Sequence, residues 1–325
     1  MKKKTVKTLW FSLVSLLLII GVVLVSIFQY GFYNYKIESV NTTPQKLDRN
    51  WEAIFKRGKA IQVIAMNTGY AVAQPHSCPY LNPNTIPKDY DMSRVQRSPI
   101  YCYAVRYPNK GDLLIDSGLD QSFHTHPPHG NLPLMLRLYQ IVTRTSYRQK
   151  QNQNLGYWLK HYKLHPRKVL LTHVHQDHFC GLSELDRDVE VLFGKKETGF
   201  LYKAAAGKYL KGKLHIKTIN FDQGIPVYPF SKVVDVSGDQ TIWAISSPGH
   251  TVDHISYLIN VKDHPVLLIG DLSVSKYHLI NNIEVSSDKG PEGYRALQKS
   301  LNELKTFKQM YPQVKIYFSH SSWTY

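Results

Sequence analysis

Three imidazoles and a carboxylate crowd into six residues at His173-Val-His175-Gln-Asp177-His178, directly after the apolar run Lys168-Val-Leu-Leu-Thr. That run is short and buried in character, a strand that feeds a polar loop, so the chain must fold with a sheet edge facing a site. Alternate positions at the end of an extended segment point the same way, and His173 and His175 can grip one ion. The turn that follows swings Asp177 and His178 toward a second. Imidazole nitrogen with carboxylate oxygen suits zinc, with manganese or iron open, because geometry and availability select between them.

Four more segments each deliver a polar residue after a strand: Leu113-Leu-Ile-Asp116-Ser-Gly118, Ser247-Pro-Gly-His250-Thr, Leu267-Leu-Ile-Gly270-Asp271 and Ile316-Tyr-Phe-Ser-His320. Each sits where a sheet edge would present it to a common rim. Between them strands and helices alternate. Strands are expected at 60–66, 100–106, 112–115, 189–193, 241–246, 255–261, 266–270 and 314–318, and helical spacing runs over 132–147, 154–162, 196–210 and 291–310. The proline-bearing stretch 75–99 reads as a long irregular insertion. Mixed strands and helices indicate an α+β or α/β class, in a chain too long for one simple sheet.

Composition narrows the class. With 43% apolar and 20% charged residues the chain is globular in balance, and three cysteines exclude a disulfide scaffold. Leu9 to Phe28 holds no ionisable side chain, and twenty residues at 1.5 Å each cover about 30 Å of hydrocarbon. Lys2, Lys3, Lys4 and Lys7 precede it, Tyr30, Tyr33 and Tyr35 suit an interfacial belt, and no small-x-small cleavage site is evident.

The expectation is a cytoplasmic basic segment at 1–8, a transmembrane signal-anchor at 9–28, a linker at 29–53 and a catalytic domain at 54–325. The positive-inside bias puts that domain outside the cytoplasm, membrane-bound by a single pass, or secreted if the anchor is cut. The formal charge of +16 then reads as a solvated surface that lies well on anionic lipid, with no nucleic acid expected as partner. Such an address makes a Cys78–Cys102 disulfide possible, and sequence leaves that pairing, like the oligomeric state, open.

All five motifs occur in order, and their spacing resembles the metallo-β-lactamase superfamily across 54–325, closest to the N-acyl-homoserine lactonase-like branch. The resemblance implies a four-layer αβ/βα sandwich with a two-metal site at one sheet edge, two Zn2+ per chain. By that pattern His173, His175 and His250 hold the first metal, Asp177, His178 and His320 the second, and Asp271 bridges both. Asp116 matches an aspartate that orients a ligand histidine. The implied reaction is hydrolysis by a metal-bridging hydroxide, with Asp271 and Asp177 in catalytic roles and Asp177 as proton shuttle.

Asp271 stands where antibiotic-hydrolysing members carry other residues. Lactonases of the branch place a tyrosine three residues after the bridging aspartate, where this chain has Val274; Tyr277 is the nearby replacement, and His126, in His124-Thr-His126-Pro-Pro-His129, is a second candidate for substrate contact. The implied substrate is a small-molecule or lipid-like lactone or ester. A membrane-associated phosphodiesterase or lipid hydrolase, and a non-catalytic metal-binding scaffold, are the alternatives.

Overall fold

The computed structural model describes residues 12–24, 37–40, 48–73, 81–93, 95–107, 111–198, 206–286 and 290–322. Among them the strands form two sheets. The first contains β1 (Ile37–Ser39), β2 (Gln62–Ala73), β3 (Gln96–Tyr107), β4 (Gly111–Ile115), β5 (Ser146–Arg148), β6 (Pro166–Leu170), β7 (Glu190–Gly194) and β8 (His215–Ile219), in the order β1-β8-β7-β6-β4-β3-β2-β5. The second contains β9 (Ile225–Val227), β10 (Phe230–Asp235), β11 (Ile242–Ser246), β12 (Ile255–Ile259), β13 (Val266–Leu268) and β14 (Lys315–Tyr317), ordered β14-β13-β12-β11-β10-β9.

Side-chain alternation explains the layering. Leu114 and Ile115, Val169 and Leu170, and Val191 and Leu192 are neighbours whose side chains leave opposite faces of the first sheet. Ile115, Leu170 and Leu192 meet Ala244, Tyr257, Ile259 and Leu268 of the second sheet in one buried cluster between the sheets. Leu114, Val169 and Val191 instead join Leu136 and Leu155 on the outer side. The second sheet's outer residues, Trp243, Ile245, Leu258 and Leu267, are covered by Leu297, Leu301, Leu304 and Phe307 of the helix Pro291–Met310. Strands covered on both faces are apolar throughout, which is why these runs lack a polar alternation. The result is the expected α+β sandwich of four layers.

Direction then collects the functional loops. β4, β6, β7 and β8 are mutually parallel. In the second sheet β13 and β14 are parallel, and β12 is antiparallel to both β11 and β13. The C-terminal ends of β4, β6, β11, β13 and β14 therefore carry Asp116, the histidine loop, His250, Asp271 and His320 respectively.

Several expectations need correction. Two pieces of the segment expected as linker belong to the body: Ile37–Ser39 is an edge strand paired with β8, and Trp51 is 1% exposed, its ring edge-on to Phe230, Trp243 and Phe307. Polar neighbours mask that anchor in the sequence. The irregular insertion is shorter than expected, because β3 starts at Gln96 and pairs Pro99 with Tyr70. The helix expected over 196–210 is a 3-10 turn, Lys195–Thr198, and helical residues 206–210, with 199–205 outside the described residues.

At the N-terminus residues 12–24 are helical, and no helix among the described residues is long and apolar enough to cross a membrane. Residues 1–11 and 25–28 of the expected basic segment and span lie outside them. Cys102 is a free thiol buried against Met66, and Cys78 lies outside the described residues.

Candidate metal centre

The loop after β6 is fixed from both sheets before any side chain reaches the site. Leu171 donates its N–H to Leu192, and Thr172 accepts from the N–H of Ile255 at 2.8 Å. Tyr257 adds a hydroxyl to the carbonyl of Leu171 at 2.9 Å. Two glycines complete the frame. Gly249, beside His250, has φ of 137°, and a Cβ there would meet the backbone of Leu297 at 2.3 Å; Gly270, before Asp271, has φ of 53° and abuts His254 and Thr172.

The first group is a trio of rings. Nδ1 of His175 lies 2.9 Å from Nε2 of His173 and 3.1 Å from Nε2 of His250. Burial, helped by the neighbouring imidazoles, pushes His173 and His175 toward the neutral form, His175 down to about 3; burial likewise lowers His250. Nδ1 of His250 donates to the carbonyl of Val285 at 3.0 Å, which leaves Nε2 unprotonated toward the trio. Nδ1 of His173 faces Oγ1 of Thr172 at 3.0 Å.

The second group mixes charge types. Asp177 Oδ2 lies 3.3 Å from Nε2 of His320 and 3.9 Å from Nε2 of His178. His320 is aimed by its Nδ1, which donates to the carbonyl of Pro99 at 2.9 Å, and His178 by Nδ1 on Asp116 Oδ2 at 2.8 Å. Burial disfavours charge on both rings, but Asp271 and Asp177, with Asp116 for His178, outweigh it and raise both, His320 to about 10. Burial works against the carboxylates too, yet the same histidines hold Asp177 down at about 2 and Asp271 well below the usual range.

Asp271 connects the groups. Its Oδ2 lies 3.6 Å from Nε2 of His250 and 3.3 Å from Nε2 of His320, and its Oδ1 3.5 Å from Nε2 of His178. Donors from His173, His175 and His250, from His173, His178 and Asp271, and from Asp177, His178 and His320 each converge within 4.8 Å. Nε2 of His178 and Oδ1 of Asp271 are buried with no hydrogen-bond partner. Orphaned donors of this kind, at convergent nitrogens and carboxylates, fit divalent cations of the zinc type.

Asp116 lies beneath the site, with its Oδ2 on Nδ1 of His178. Its φ of 58° lies in the left-handed region, which aspartate tolerates better than most residues. The two substrate-contact candidates are elsewhere. A cavity of about 150 Å3 opens beside the donors, lined by His175, Asp177, His250, Asp271 and His320 with Val72, Leu81, Tyr139, Tyr147 and His278. Tyr277 is 47% exposed and stacks on Tyr90, and His126 is exposed with Nδ1 on Thr125. His278 takes the place expected for Tyr277, one residue on along the helix Lys276–Ile280.

Three residues here escape sequence reasoning. Tyr147 brings its hydroxyl within 3.2 Å of Asp177 Oδ1, and Thr172 donates to Asp116 through N–H and hydroxyl. His254, which reads as a turn residue, is fully buried and its Nε2 accepts the N–H of Asp271 at 3.2 Å. A second imidazole four residues after His250 was the available signal.

A family model described as Metallo-beta-lactamase superfamily matches residues 95–320. A curated hydroxyacylglutathione hydrolase of Hahella chejuensis (strain KCTC 2396) is 34% identical over 107 residues, 32% of this chain and 33% of that protein. The match thus spans about a third of that relative's length. Among solved structures, an N-acyl homoserine lactone hydrolase with its product N-hexanoyl-L-homoserine at the catalytic metal center superposes with a TM-score of 0.59 at 17% identity, covering 81% of this chain and 94% of that one. A dizinc quorum-quenching lactonase gives 0.51 at 14% identity, covering 82% and 90%. These likenesses show the fold.

Proposed function

The chain belongs to the metallo-beta-lactamase superfamily, and from that membership and the donor set we propose that it is a dinuclear zinc hydrolase acting on a lactone, ester or related carbonyl bond. The observation that carries this is Asp271, whose two oxygens face His250 and His320 on one side and His178 on the other. His173, His175 and His250 would hold one cation and Asp177, His178 and His320 the other, with Asp271 shared. Manganese or iron would suit the same donors. Bound there, two cations supply Lewis acidity that brings the pKa of water toward neutrality and polarises a carbonyl.

The chain's own residues do the rest. Asp177, ionised and steadied by Tyr147, accepts and returns a proton at Oδ1, the oxygen that faces Tyr147 and not the histidine donors, while Val72, Leu81 and Tyr139 exclude water from the apolar side of the cavity. The lactonase reading draws on the product bound in the neighbouring structure.

We also place the protein on a membrane through residues 9–28, with the site outside the cytoplasm. Within the described helix Leu13, Leu16, Leu17, Leu18 and Ile19 are all more than half exposed, apolar surface that water does not favour. Elemental analysis of the full chain, with hydrolysis of lactone, ester, thioester and phosphodiester panels before and after chelation, tests the reading. About two zinc per chain and chelator-sensitive turnover is the expected result. Two bound metals with no turnover on any panel would favour the scaffold alternative, and extraction from membranes by high salt alone would remove the anchor.

A further inference from the structure

We infer that the helix Leu134–Val142 is the face by which the catalytic body lies on an anionic lipid bilayer, so that the cavity it walls takes an amphiphilic, acyl-bearing substrate from the lipid phase. The inference rests on the hydrolase reading and deepens it.

This helix seats Leu136 in the core but turns most of its apolar side chains outward. Leu134, Leu138, Tyr139, Ile141 and Val142 are exposed, Val142 at 80%, while the polar Gln140 is buried and bonds to His129. A soluble helix turns its apolar stripe to the core; a stripe turned outward on so short an element marks a contact with something apolar. The same helix lines the cavity through Tyr139 and Gln140, together with Val72 and Leu81. Whatever covers the helix therefore covers the cavity's rim.

Charge selects the occupant. From Gln121 through Gln176 the sequence holds no Asp or Glu and eight Lys or Arg. Arg144, Arg148 and Lys150, just beyond the helix, are exposed. A second copy of this chain would set like-charged segments against each other. Anionic headgroups match the basic rim, and the acyl region beneath them matches Leu138, Ile141 and Val142. The apolar stretch 9–28 brings the same chain to that surface.

The full chain, reconstituted in vesicles of phosphatidylcholine and phosphatidylserine, provides the test. In a Cys78→Ser background, an environment-sensitive dye on Val142→Cys is expected to be quenched by brominated acyl chains at least twofold more than a dye on the exposed Lys299→Cys, and less when phosphatidylserine is omitted. Equal quenching at both sites overturns the inference, as does concentration-dependent cross-linking through Val142→Cys without quenching, which would assign the face to a second copy.

The double variant Ile141→Asp/Val142→Asp, at residues that do not line the cavity, supplies the functional arm. Hydrolysis of a water-soluble aryl acetate should stay within twofold, and that of the same ester carrying a long acyl chain in vesicles should fall at least tenfold. Equal losses on both would mean the helix only shapes the cavity and would overturn the proposal. Failure of the unsubstituted chain to cleave either ester, together with no turnover on the lactone, thioester and phosphodiester panels, would defeat the hydrolase reading, while the quenching still decides the docking.

Discussion

Asp116 and His178 meet through a hydrogen bond of 2.8 Å between Oδ2 and Nδ1, both side chains at most 2% exposed. The same carboxylate receives the N–H of Thr172 at 2.7 Å and its hydroxyl at 2.9 Å, and that hydroxyl oxygen faces Nδ1 of His173. One carboxylate thus sets the ring orientation in both donor groups. Asp116→Asn should weaken metal binding by about 10–100-fold with the fold intact. Competition against a chromophoric chelator reads this directly, and unchanged affinity would contradict it.

His175→Ala removes one donor from the first group, and Asp271→Ala removes the group common to both. Metal content should drop toward one and toward zero per chain respectively, with kcat/KM down by roughly a thousandfold or more. Circular dichroism is expected to stay native, since the sandwich core between the sheets includes neither residue.

Protonation differs between the groups, and metal loading should show it. His173, His175 and His250 are neutral at pH 7, chiefly through burial. His178 and His320 are raised by their carboxylates despite burial, so a cation must displace protons there. Titration calorimetry in buffers of different ionisation enthalpy should find one nearly proton-neutral site. The other should release about one or two protons and weaken as pH falls. Two proton-neutral sites would sink this account.

Glu197 is 1% exposed, with Oε1 accepting the N–H of Asp253 at 3.1 Å, and burial raises its carboxyl to about 7. Between its ordinary value of 4.5 and that pH the folded chain holds a proton that the unfolded chain has lost. Stability from this group is therefore full below 4.5 and declines as pH rises toward 7, on the order of 3 kcal/mol in all. Urea unfolding of chelated Glu197→Gln should show a flatter fall across that window than the parent protein; parallel curves would assign the pH dependence elsewhere.

Tyr147→Phe keeps the edge-on contact with Phe123 and loses the hydroxyl beside Asp177. A hydrogen bond to a charged group contributes about 1.5 kcal/mol, or tenfold in rate. A tenfold lower kcat at unchanged metal content is the expected outcome, and loss of metal would instead make Tyr147 part of the ligand frame.

His173, His175, Asp177 and His178 are legible in the sequence because one loop holds them all, and Asp116, His250, Asp271 and His320 because each follows an apolar strand. Pro291–Met310 is legible through Leu297, Leu301, Leu304 and Phe307, spaced for one helical face. Tyr147 is not, since its strand has three residues and pairs with the distant Tyr70, Ala71 and Val72 of β2. Thr172 acts through tertiary hydrogen bonds that no spacing encodes, and His254 is signalled only by its place four residues after His250. Tyr277 and His278 differ by a single step, and on a helix that step turns a side chain by about 100°.

The donors come from both layers: His173, His175, Asp177 and His178 from the end of β6, and His250, Asp271 and His320 from the ends of β11, β13 and β14. Neither sheet owns a complete group, so each cation would span the seam like a rivet between two plates. A slip of one sheet against the other would pull the donors of both groups apart at once. Metal affinity is then a gauge of how the two sheets are aligned, and core substitutions as remote as Ile259 or Leu192 would register on it before they registered on the melting temperature.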